Sequence, residues 1–218
     1  MPSTHPEGRR EFLGQIAATA LASAGALAVP ATLHAAAFAD AADPDHWLDG
    51  LKGKHKQVVD AYVANDGWPL GFVHNYLATA TPAGSSAAVL VLRHFAFPIA
   101  VDDSIWSKYK VGESLKIMDP ATGKPATKNP FLRPAKGVLL ADDMAIDRLI
   151  ARGVPVGGCT VALTVLSGKL AGNAGVSAAA AKDEWEKAVL PGVTMLPSGV
   201  WGVNRAQEKG CTYCTGGG

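Results

Sequence analysis

The clearest candidate for chemistry in this 218-residue chain is one of its three cysteines, Cys159, in the stretch RGVPVGGCTVALTVLSG. It follows a short β-branched run and two glycines, and a helical pattern starts at Thr160. A thiol at that junction lies at the positive end of a helix dipole, among backbone N–H groups that have no intrahelical partner. Such a setting favours a thiolate. Gly157 and Gly158 are expected to let the chain turn tightly there and to leave room for a ligand. The competing reading is a small apolar side chain in the core, because free cysteine is among the most buried residue types.

Two other strand exits carry reactive side chains. AVLVLRH ends at Arg93 and His94, and His94 is a candidate base or hydrogen-bond donor toward the thiol. VTMLPSG ends at Ser198, which is expected to cap the following helix or to donate to an anion at its mouth. Ser198 lies in no Gly-x-Ser-x-Gly elbow. The tail CTYC supplies Cys211 and Cys214, a spacing compatible with a redox pair, half a metal site or a local disulfide. No second Cys-x-x-Cys completes a zinc site, and SGKLAGNAG is no phosphate loop, so no cofactor and no metal is expected.

The elements that must position these groups read as an alternation. Strands are expected at residues 56–60, 88–92 and 154–158, with VTMLPSG (residues 193–199) as a strand and turn and CTYCTGGG as a last strand or tail. Helical spacing or capping marks PLGFVHNYLATATPAG, DDSIWSKYKVGESLKI (N-cap Asp102 or Asp103), LADDMAIDRLIARG, CTVALTVLSGKLAG, VSAAAAKDEWEKAVLPG (ending at Pro191) and VWGVNRAQEKG. Continuously apolar strands between helices predict a mostly parallel sheet of about five strands with helices on both faces. Ligands then gather outside the carboxyl ends of the strands. Residues 112–136, rich in Pro, Gly and Lys, read as an irregular insertion.

The charge balance is +1 and the chain is 48% hydrophobic, which excludes a dedicated nucleic-acid binder and suits one globular domain over residues 40–218. Residues 1–39 read differently. GRREFLG followed by an Ala-rich apolar run has the organisation of a twin-arginine export signal, with cleavage after Ala39 or in LHAAA just upstream. The run is short for a bilayer span, so no stable membrane span is expected after cleavage. Export places the mature protein in the periplasm, where disulfides persist. Cys211 and Cys214 are then expected to pair, leaving Cys159 free; a bond from Cys159 to either one is the competing arrangement.

The pattern Leu149, Arg152-Gly153-Val154 and Cys159, followed by LPSGV (residues 196–200), Gln207, Gly210 and Tyr213, resembles the DsrE/DsrF-like family of small sulfur-relay proteins. The resemblance runs over roughly residues 56–213 and is densest from Leu149 onward. It implies a flavodoxin-like three-layer α/β/α fold, a homo-oligomer, and sulfur carried as a persulfide on Cys159. Ser198 and nearby amides would then hold the negative end of the substrate, and His94 would assist proton movement. The expected partners are a small sulfur-containing anion or a partner thiol protein. Two rival functions stand beside this one: a thiol–disulfide protein that cycles Cys211 and Cys214, and a non-catalytic periplasmic module that binds a small ligand or metal or serves in assembly.

Overall fold

Five parallel strands form the middle layer: β1 (His55–Ala61), β2 (Ser86–Leu92), β3 (Val156–Cys159), β4 (Val193–Leu196) and β5 (Thr212–Thr215), in the order β4-β3-β2-β1-β5. The structure, a computed structural model, describes residues 45–80 and 82–217. The expected export segment, residues 1–39, lies outside the described residues. Val59 stands opposite Leu90 in β2 and Cys214 in β5, and Cys159 stands opposite Leu196 in β4.

Strand alternation sorts the core into two layers. Val59, Ala61, Leu90, Leu92 and Val156 join the larger cluster, while Val58, Val89 and Val91 join the smaller. The larger cluster is covered by α1 (Trp68–Ala78), α4 (Ile146–Ala151), α5 (Thr160–Ala174) and α6 (Ala178–Lys187), after the short α2 (Asp103–Lys108) and α3 (Val111–Leu115). The smaller is covered by α7 (Gly199–Glu208), through Val203 and Ala206, and by Trp47 and Leu48 of the 3-10 turn His46–Leu48. This is a three-layer α/β/α, flavodoxin-like arrangement.

The helix after β3 lies on one face of the sheet and the helix after β4 on the other. The reversal of winding that opens a crevice in doubly wound sheets therefore falls between these two strand exits.

Several local expectations meet the structure with small changes. Asp102 is the N-cap of α2, accepting from the Ser104 N–H at 2.9 Å, and Ile105, Trp106 and Tyr109 are buried. The stretch expected as one helix from Leu140 is instead a 3-10 turn, Asp142–Met144, and then α4, because Ala145 between them takes φ −57, ψ 143. The irregular excursion starts after α3 and runs on past Lys136, held by an isolated bridge between Met118 and Pro125 and by the buried amide of Asn129, which donates to the Ile99 and Val101 carbonyls.

Gly157 and Gly158 do not serve as the expected turn. Neither turns the chain nor admits a ligand; both lie inside β3. A Cβ on Gly157 would collide with Leu196 and crowd Trp47, and one on Gly158 would meet Met195, Val193 and Phe97. The missing side chains make room for the protein's own core on both faces of the sheet.

Candidate functional site

Cys159 closes β3 and is the N-cap of α5, a helix of 15 residues. Its Sγ takes the place usually held by a Ser or Asp oxygen and accepts the Ala162 N–H at 3.3 Å. The residue is 5% exposed. It nevertheless lines a cavity of about 150 Å³ together with His94, Phe95, Val161, Ala162, Val165, Leu166 and Lys169. Cys159 belongs to the large apolar cluster and is also one of the residues that line this cavity.

That cavity is mostly apolar. Val161, Val165 and Lys169 recur at four-residue intervals, so they stack along one face of α5. Phe95, Val161 and Val165 are each more than 40% exposed although hydrophobic. Lys169 is the only lysine or arginine among the lining residues, which include no carboxylate.

His94 enters from the exit of β2. It opens the 3-10 segment His94–Ala100 and has φ +44, a left-handed backbone that a residue with a Cβ seldom adopts. Hydrogen bonds fix that turn: Arg93 N–H donates to the Ala61 carbonyl, and Ala96 N–H to the Tyr62 and Arg93 carbonyls. The imidazole meets the Tyr62 ring edge-on at 6.0 Å. Its Nδ1 lies 3.1 Å from Nη1 of Arg93.

Behind His94 stands a part-buried polar network centred on the buried Asp60. Arg93 makes a two-pronged pair with Asp60 at the end of β1, Nε to Oδ1 at 2.6 Å and Nη2 to Oδ2 at 2.9 Å. Tyr213 of β5 donates its hydroxyl to Asp60 Oδ2 at 3.1 Å. The Asp60 hydrogen bond holds the Arg93 guanidinium above its usual range, so it stays charged. Burial and then the Asp60 charge push the Tyr213 phenol up. Gly199, first residue of α7, gives Arg93 its space: a Cβ there would stand 2.5 Å from Arg93 Cβ.

The structure brings Cys159 and His94 to one cavity and leaves Ser198 out of its lining. Ser198 caps α7 by accepting the Trp201 N–H at 3.3 Å. The disulfide expected between Cys211 and Cys214 is not formed, and all three cysteines are free thiols. The reason is alternation: Cys211 belongs to the smaller cluster and Cys214 packs against the larger, so they face opposite sides of the sheet. Burial pushes both of their thiols up. Among the described residues no group of three His, Cys, Asp or Glu side chains is placed to hold a metal.

No protein-family model and no curated protein matches the chain. Sequence reasoning assigned Tyr62 no role, named Asp60 and Arg93 only as the ends of strands, and placed Tyr213 only in the family-like pattern of the tail. One signal was present: Asp60 interrupts an apolar strand at its carboxyl end, as Arg93 follows another.

Proposed function

We propose that this protein is a sulfur carrier that accepts a sulfur atom on Cys159 as a persulfide and passes it to an acceptor thiol. One observation carries the reading: a cysteine at the N-cap of a long helix, recessed yet lining a small cavity shared with a histidine. Unpaired amides at a helix mouth stabilise negative charge on sulfur, in the thiolate and in the persulfide anion alike.

The step balances without an oxidant. The Cys159 thiol gives its proton to solvent, and the thiolate attacks the outer sulfur of a donor that already holds a sulfur–sulfur bond. That bond breaks, a new one forms at Cys159, and the electron pair leaves on sulfite or on a thiolate. The apolar wall favours a small organic persulfide over a fully hydrated anion, because burying unpaired polar groups against Phe95, Val161 and Val165 is costly. Lys169 suits a carboxylate on such a donor. Ser198 keeps its capping task and takes no part. An export signal over residues 1–39, a periplasmic setting and a homo-oligomer complete the proposal. No helix among the described residues is long and apolar enough to cross a membrane.

The test is mass spectrometry of the protein after incubation with thiosulfate and, separately, with a persulfide of a small carboxylate-bearing thiol. The expected result is a gain of one sulfur on the peptide holding Cys159, faster from the organic donor and abolished by Cys159→Ser. Equal loading of the Cys159→Ser protein would overturn it. The apolar lining also suits a second reading, a ligand-binding module without turnover. Saturable binding of the carboxylate-bearing thiol with no sulfur gained at Cys159 would select that one.

A further inference from the structure

We infer that Arg93 is a positioning residue: clamped by Asp60, it fixes the ring of His94 so that this side chain presents a hydrogen-bond donor, and not a base, to the Cys159 cavity. The inference rests on reading Cys159 as the working thiol, but its first test does not.

A guanidinium has five N–H donors and no acceptor. The 3.1 Å contact from Arg93 Nη1 to His94 Nδ1 is therefore a hydrogen bond in only one sense: Arg93 donates and Nδ1 accepts. In the neutral ring the proton then sits on Nε2. A proton on Nδ1 would bring two donors face to face.

What makes this a clamp is that Arg93 cannot turn away. Its Nε and Nη2 are committed to the two oxygens of Asp60, whose side chain is 6% exposed, and the planar fork leaves Nη1 aimed at the neighbouring ring. Asp60 is in turn held by Tyr213. Arg93 also lies over the Tyr62 ring, 5.6 Å from its centre, and the same ring meets His94 edge-on. The left-handed backbone at His94 is held by the hydrogen bonds of Arg93 and Ala96.

The chemical consequence is specific. A ring with Nδ1 occupied and Nε2 protonated stabilises developing charge on sulfur by donation, and it does not take the thiol proton. Solvent takes that proton.

The first test is nitrogen-15 spectroscopy of the histidine rings in the full protein at neutral pH. His94 should show an unprotonated Nδ1 and a protonated Nε2, and Asp60→Asn or Arg93→Met should convert this to a mixture of tautomers. A protonated Nδ1, or an averaged ring in the unaltered protein, overturns the clamp whether or not Cys159 carries sulfur. The second test compares His94→Gln with His94→Ala in the rate of sulfur loading at Cys159. Glutamine offers an N–H donor near the position of Nε2 and is no base. Loading should fall roughly tenfold in the alanine variant, about the effect of one hydrogen bond, and far less in the glutamine variant. Equal losses would overturn the donor role.

Discussion

Replacing Arg93 by Met removes the cation from a carboxylate that has almost no solvent. Removing one partner of a buried ion pair costs about 3–5 kcal/mol, since the other charge is left uncompensated. Two features place this case at the lower end. The Arg93 side chain is 19% exposed, which gives water a route to the gap, and Tyr213 continues to donate to Asp60. A loss of about 3 kcal/mol follows. For a domain of this size each kcal/mol lowers Tm by about 2–4 °C, so Tm should fall by roughly 6–12 °C. Asp60→Asn in the same chain removes the stranded charge and keeps a hydrogen-bonding group beside Tyr213. The double variant should recover about 2 kcal/mol of the loss, a coupling that independent sites do not show. Urea denaturation of the four proteins in the cycle measures it. Strictly additive single effects, or an Arg93→Met variant within about 1 kcal/mol of the parent, would refute a buried, charge-driven anchor beneath the site.

Other consequences follow from particular contacts. Gly202→Ala on α7 gains about 1 kcal/mol of helix propensity, but its Cβ falls on Leu196, which is already wedged against Gly157. Overpacking of this kind costs about 1–3 kcal/mol, so a net loss is expected, and a stabilised variant in urea denaturation would contradict it. The Arg205 hydrogen bond holds the Asp45 carboxyl below its usual range. Its contribution is therefore fully present above the unfolded value of about 3.9 and is lost as pH falls through the lower folded value. The stability difference between the parent and Asp45→Asn should shrink in acid, and a constant difference would refute the linkage.

Burial first, and then the hydrogen bond to Glu184, push the Tyr109 phenol up to about 12. Its contribution is present below the unfolded value of about 10 and is lost as pH rises toward 12, so the stability difference between the parent and Tyr109→Phe in urea denaturation should shrink over that range, and a constant difference would refute it.

The number and kind of the elements were legible in the chain because their causes are local. Ala88 to Leu92 is apolar without a break and becomes the buried part of β2. Asp102 caps α2 through its own carboxylate, and Gly210 closes the last helix with φ +90. Alternating apolar strands and helices required a parallel sheet covered on both faces, since each apolar strand must be buried on both sides. The candidate thiol was legible too, because a strand ending in a helix mouth is a feature of neighbouring residues.

What the linear pattern could not decide was which strand exits meet. Asp60, Arg93 and Tyr213 are spread over more than 150 residues of chain, and only the strand order β2-β1-β5 sets them side by side. The same order separates residues that seemed to belong together. Ser198 leaves β4 toward the opposite face from α5, and Cys214 in β5 and Cys211 just before it pack on opposite sides of the sheet. Gly157 and Gly158 read as flexibility in one dimension and proved to be space for Leu196 and Phe97 in three. Local sequence fixes dihedral preference and apolar period, whereas strand order and packing are settled by the free energy of burying all the apolar faces at once.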